Sequence, residues 1–227
     1  IRFTDTDGTD LAYEIEKWDE TGTSWVWVKA PQIDINSSTD YIYLYYGNTS
    51  ATDHQQVTSV WDSNYIAVWH LKESSGSIID STSNDNDLTI GGTPIYSAIG
   101  QVGSAVEFEK DNSATATRTS LTGQTGNNYT VEFWINPESK YDYNEYLNNN
   151  GWNGYNIHDS AAGTLYAGNT PNRISTGTNY LPILTLTHVV LANTNNGERL
   201  YKNGSQTHTQ TFDTPTYGVF SISTGAT

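Results

Sequence analysis

Cysteine and methionine are both absent from the 227 residues, and cations are scarce. Ten Lys and Arg stand against 25 Asp and Glu, for a formal charge of −15 and a pI near 4.4. Without cysteine there is no disulfide framework, no thiolate zinc site and no cysteine nucleophile, so oxygen and imidazole are the available metal ligands. The shortage of Lys and Arg works against phosphate backbones and anionic membrane surfaces, both of which need clustered cations. Nucleic acid is therefore not an expected partner. No run approaches the roughly 18 apolar residues of a bilayer span, so direct membrane insertion is not expected either. The opening residues IRFTDTDGTD carry neither a basic nor an apolar leader segment, which fits a mature or trimmed chain as well as a cytosolic one.

What is abundant is Thr (32), Asn (22) and Tyr (16). Thr and Tyr suit pleated strands and Asn suits turns, so the composition points to an all-β protein. Apolar residues alternate in short runs between turn residues: SWVWVKA, YIYLYYGN, and the stretches at 66–71, 104–109, 130–135, 186–192, 198–203 and 218–223. Period-two alternation makes each of these a predicted strand. Helical periodicity is nowhere sustained, so no helix beyond an isolated turn is expected. Many short strands with polar turns indicate a sandwich of two sheets.

Composition shifts near Trp61-Asp62, from a Trp/Tyr-dense unit of about sixty residues, too small to bury much core alone, to a longer unit. The boundary is placed at 62/63. The link SVWDSNY has no Gly/Ser or Pro run, so the two units are expected to pack rather than swing.

In that first unit, IRFTDTDGT, YEIEKWDE, WVWVKAP, YIYLYYGN and VWD occur in an order that resembles an uncharacterised domain family of large secreted and cell-surface proteins. The second, with AVWHLKESSGSIIDSTSNDNDLTI, VGSAVEFEKD, YTVEFWINP, THVVL and ERLYKNG, resembles the laminin-G-like, concanavalin A-like lectin/glucanase superfamily. The resemblance implies a small β unit over 1–62 packed on a jelly-roll sandwich over 63–227, in an extracellular or cell-surface setting. Family members usually close with a further strand after the point where FSISTGAT ends. The expectation is therefore a jelly roll incomplete at its C-terminus, either cut from a longer polypeptide or completed by a neighbour's strand.

Asp80, Thr82, Asn84, Asn86 and Asp87 place oxygen-bearing side chains along one loop. Calcium takes six to eight hard oxygen ligands, and such a loop can offer several. Asx-turns, in which these side chains bond their own backbone, are the alternative. Related sandwiches often hold a structural calcium, so the resemblance makes Ca2+ the expected cofactor if there is one.

Glu14, Glu16 and Asp19 alternate as the acids of a glucanase strand would, but Trp18 stands where that pattern needs an acid. A solvated polar face anchored by Trp18 is the simpler reading. Glu107, Glu109 and Asp111 likewise read as a solvent side beside inward Val106 and Phe108. His54, His70, His158, His188 and His208 are widely spaced and form no catalytic motif; His70 and His188, inside predicted strands, read as core or interface residues bonded to backbone.

Tyr141, Tyr143, Tyr146, Trp152 and Tyr155, interleaved with Asn over 141–156, have the chemistry of a glycan platform, of a wet protein–protein contact, or of rim packing. That region reads as an edge strand, a long loop and another strand. Sequons at Asn36, Asn48, Asn128 and Asn203 permit glycosylation. The function expected is a non-catalytic surface or assembly module that contacts neighbouring subunits, domains or glycans. Its alternatives are a carbohydrate-binding module of a glycan-degrading enzyme and a glycoside hydrolase.

Overall fold

A computed structural model describes residues 1–33, 35–141, 143–150, 154–169, 172–211 and 215–223. The chain is all-β. Among the described residues, helix is confined to one turn, α1 (Val57–Val60), and a 3-10 turn at Lys110–Asn112.

The first unit contributes β1 (Arg2–Thr4), β2 (Tyr13–Lys17), β3 (Trp25–Val28) and β4 (Tyr43–Tyr45), joined as two antiparallel pairs, β1 with β4 and β2 with β3. Alternation in β2 and β3 splits their side chains. Phe3, Leu11 and Tyr13 form a small core on which Ile15, Val26 and Val28 pack. On the other face of β2, Glu14 and Glu16 are 2% and 8% exposed, so this is not a solvated polar face. Trp18 is 48% exposed and belongs to neither core cluster. The carboxylates are buried because His70 and Lys72 cover them, at a sequence distance no local pattern reveals.

The second unit adds β5 (Thr89–Gly91), β6 (Ile95–Ile99), β7 (Ser104–Glu107), β8 (Thr115–Arg118), β9 (Tyr129–Ile135), β10 (Asn144–Asn149), β11 (Asn156–Asp159), β12 (Leu165–Gly168), β13 (Ile174–Ser175), β14 (Thr187–Thr194), β15 (Gly197–Lys202), β16 (Ser205–Gln210) and β17 (Phe220–Ser223). Seven form one sheet in the order β13-β12-β11-β10-β17-β8-β5, four form another in the order β16-β15-β14-β9, and β6 pairs with β7. The alternation in β14 shows how the sandwich closes: Thr187, Val189, Leu191 and Asn193 are buried while the residues between them are partly exposed. With Leu200, Ile157, Leu165, Ala167, Ala116 and Phe220 from the other strands they enclose the main core.

Two sequence expectations are corrected here. The stretch 66–71 is no strand; it makes only an isolated bridge, Trp69 to Asp80. Its alternation is real but serves two partners instead of two sheet faces. Trp69 and Leu71 pack on the main core, Trp69 stacking on Phe220 at 4.8 Å, while His70 and Lys72 face Glu14. The 141–156 region is also not an edge. β10 lies inside the seven-stranded sheet, bonded to β11 on one side and to β17 on the other.

Candidate functional site

β11 and β12 run antiparallel with Ile157 opposite Ala167 and His158 opposite Tyr166. Ile157 and Ala167 go into the core, so period-two geometry sends His158 and Tyr166 to the sheet's other face. There the rings form a ladder. Tyr143 stacks on His158 with centroids 5.5 Å apart, His158 on Tyr166 at 5.1 Å, and the Arg173 guanidinium caps Tyr166 at 4.4 Å from its centroid.

Together with Asp159 and Ser160 these side chains line a cleft of about 260 Å³, just below the roughly 300–1,000 Å³ of small-molecule sites. Asn156 bonds His158 Nδ1 through its Oδ1, and its amide and that of Asn148 both donate to Glu145 Oε2, at 3.0 and 2.8 Å. Burial, then the nearby charge of Arg173, pushes the His158 imidazole down to about 4, so at neutral pH it is an uncharged ring. Asp159 is fully buried beneath the cleft and takes a hydrogen bond from Lys140 Nζ at 2.6 Å. Aromatic edges, three hydroxyls and a guanidinium can meet a ligand that is apolar on one side and hydroxylated on the other.

The residues expected from sequence divide. Tyr143 is 48% exposed and lines the cleft. Tyr141 is exposed, with Lys110 Nζ 4.9 Å above its ring, and is not among the side chains that line the cleft. Tyr146 and Tyr155, 7% and 3% exposed, belong to the core cluster, so packing is their role and neither is a contact residue. Trp152 lies outside the described residues. His158, Tyr166 and Arg173 were missed; the only signal was alternation in NIHD and LYAG, too short to raise a strand.

The 80–87 loop is a knot of hydrogen bonds. Asp80 Oδ1 accepts the N–H groups of Val68 and Thr82, and Oδ2 accepts the Thr82 hydroxyl and the Asn86 N–H, all between 2.7 and 3.0 Å. A carboxylate has about four lone-pair sites, and all four are engaged. Asp87 Oδ1 takes the Asp80 N–H at 2.8 Å. The Thr82 hydroxyl also accepts the Asn84 N–H. Asn84 and Asn86 direct their amides to the Ile66 carbonyl, and Asn86 also exchanges bonds with Thr122. These residues therefore do not fit a calcium ion, since a cation would have to displace N–H donors already seated. Adding a chelator is expected to leave the melting temperature unchanged; a fall of several degrees would reinstate a bound cation. Asn36, Asn48, Asn128 and Asn203 are all exposed, and Asn203 Oδ1 accepts the His188 N–H at 2.9 Å.

Residues 1–85 match a family described as a domain of unknown function (DUF2341), and residues 108–226 match the concanavalin A-like lectin/glucanases superfamily. No curated protein matches the sequence. Among solved structures, the chain is similar to one described by the dependence of botulinum neurotoxin type C cell entry on interaction with two ganglioside molecules. That match has a TM-score of 0.52 and 11% identity, and it covers 66% of this chain and 40% of the other, so this chain spans under half of that protein's length. A second is domain 4 of AbnA, a GH43 extracellular arabinanase from Geobacillus stearothermophilus, in complex with arabinotriose. Its TM-score is 0.46 at 19% identity, covering 68% of this chain and 96% of that one. The first is a likeness of fold alone.

Proposed function

The chain belongs to the concanavalin A-like lectin/glucanases superfamily, and from that premise we propose that it is a non-catalytic module of an extracellular or cell-surface protein, holding a glycan in the cleft beside His158. The observation that carries this reading is the Tyr143–His158–Tyr166 ladder capped by Arg173, with the Ser160 hydroxyl at its margin. Sugars offer C–H groups to aromatic side chains and hydroxyls to polar ones, and the cleft presents ring edges beside hydroxyls and a guanidinium. The ganglioside dependence named for botulinum neurotoxin type C is compatible with this reading.

Support for a binding role over hydrolysis comes from the acids. Two-carboxylate hydrolysis needs a pair on either side of the bond, about 5–9.5 Å apart according to mechanism. Asp159 is the acid lining the cleft, and it is tied to Lys140; Glu145, opposite His158 on β10, is held by two amides.

A glycan array with the wild type, Tyr166→Ala and Tyr166→Phe tests the proposal. Binding to a defined sugar class is expected, with about a tenfold or greater loss for Tyr166→Ala, since an aromatic contact is worth roughly 0.5–1.5 kcal/mol beyond its buried area. Tyr166→Phe should keep most of the affinity. Equal affinity in all three would move the site elsewhere, turnover of a polysaccharide would make the protein an enzyme, and silence on the array with concentration-dependent association would favour a subunit of an assembly.

A further inference from the structure

Between the two cores lies a cluster of charged side chains that the cleft does not use. β2 offers Glu14 and Glu16 on the face turned away from the first unit's own core, their side chains 3% and 1% exposed. His70 sits between them, Nε2 3.1 Å from Glu14 Oε2 and Nδ1 2.5 Å from Glu16 Oε2. With a carboxylate on each nitrogen, an imidazole can satisfy both only as a double donor, which is the charged form.

Lys72 Nζ and the Ser81 hydroxyl both reach Glu14 Oε1 at 2.9 Å. The indole of Trp61 donates to Glu14 at 3.2 Å, and that of Trp27 to Glu16 at 3.0 Å. Both indoles also pack on the His70 ring, with centroids 5.8 Å away. From the turn between β6 and β7, Gly103 comes close enough that a Cβ there would lie 3.0 Å from Glu16 Oε1. The groups facing His70 from these neighbouring elements are thus two carboxylates, one ammonium that already answers Glu14, and neutral donors.

We propose that residues 69–72 are a proton-sensitive coupler, in which the imidazolium of His70 holds the β2–β3 unit against the sandwich and its deprotonation loosens that contact. The sequence geometry supports this directly. Trp69 and Leu71 are anchored in the sandwich core, and the residues alternating with them, His70 and Lys72, supply the two positive charges that answer Glu14 and Glu16. When His70 loses its proton, one nitrogen turns from donor to acceptor and faces a buried carboxylate it cannot bond, a costly arrangement in a dry site.

The pH window follows from the directions of the shifts. Burial opposes the charge on His70, and the bonds to Glu14 and Glu16 outweigh it, raising the imidazole above its ordinary 6.5. Its contribution is therefore complete below 6.5 and lost as pH rises through the higher folded value. Burial likewise opposes ionisation of Glu14, and His70 and Lys72 overcome it, holding the carboxyl at about 2 against an ordinary 4.5. That contribution is complete above 4.5 and lost as pH falls towards 2. The contact should be tightest between those ordinary values, 4.5 and 6.5.

The test is amide hydrogen exchange of the full chain at pH 5.5 and pH 9, corrected for intrinsic rates, comparing β2–β3 with β14–β15. Protection of β2–β3 is expected to fall about tenfold for each pH unit by which the folded value exceeds 6.5, while β14–β15 stays unchanged. His70→Gln, which keeps one neutral donor, should abolish the difference between the two pH values. If that variant does not fold, the imidazole 15N titration of the wild type decides instead. A midpoint at or below 6.5, or protection that falls equally in both regions, overturns the coupler, as does wild-type pH dependence in His70→Gln.

Discussion

Asp80→Ala is expected to destabilise the protein by at least about 3 kcal/mol, because three backbone amides lose a buried acceptor. The carboxylate is 5% exposed and takes three backbone N–H groups and one hydroxyl. Removing it strands the Val68, Thr82 and Asn86 amides, each of which costs about 1–3 kcal/mol if it finds no new partner in a buried site. The damage should extend beyond the loop. The Val68 bond fixes the segment that carries Trp69 into the core against Phe220, and the Ser81 N–H bonds the Val68 carbonyl from the same turn. Asp80→Asn, which keeps one acceptor oxygen but places an amide against the remaining donors, should fall between wild type and Ala. Urea unfolding of the three proteins gives the comparison; a loss under about 1 kcal/mol for Ala would mean the amides are satisfied by water.

The same loop shows what the sequence could convey. A run of Asp, Thr and Asn at alternating positions had two readings, turn and cation site, and composition alone does not separate them, because both need the same oxygens. What separates them is the donors: Thr82 and Asn86 inside the run fill three of the Asp80 acceptor sites, while Val68 and Thr122, whose N–H groups bond Asp80 and Asn86, lie outside it. Strands whose alternation serves a single sandwich, such as β9, β14 and β15, were legible because one face is buried and the other wet. Alternation at 66–71 misled because its second face meets Glu14 and Glu16 of β2 instead of water. Glu14 and Glu16 gave no sign of burial, since their partners His70 and Lys72 lie 56 and 58 residues beyond Glu14. The cleft was least legible of all. It is assembled from strands of four residues, in which alternation has too few periods to register, and from Arg173, whose place over Tyr166 depends on the pairing of β12 with β13.

Gly168→Ala is expected to cost a comparable amount, about 2–6 kcal/mol, for two separable reasons. Gly168 has φ +105°, a region where a side chain is strained by roughly 1–3 kcal/mol. A Cβ there would also lie 2.1 Å from Glu198 Oε2 and 2.5 Å from its carboxyl carbon. A long acidic side chain could normally swing away, but Glu198 is fully buried on β15, where Oε1 accepts the Asn169 N–H at 3.2 Å and lies 3.5 Å from the Tyr129 hydroxyl. Yielding would pull a buried carboxylate off its donors, which adds an overpacking cost of about 1–3 kcal/mol. The double variant Gly168→Ala/Glu198→Ala separates the parts. With the carboxylate gone the new methyl has space, so the pair should be more stable than the sum of the single losses by at least about 1 kcal/mol, leaving only the backbone strain at 168 and the orphaned donors. Strict additivity would place the whole effect in the backbone and would mean that Glu198 moves freely despite its burial. In the coupled outcome, glycine at 168 is required because the sandwich closes a buried acid against the backbone of the strand that presents Tyr166 to the cleft.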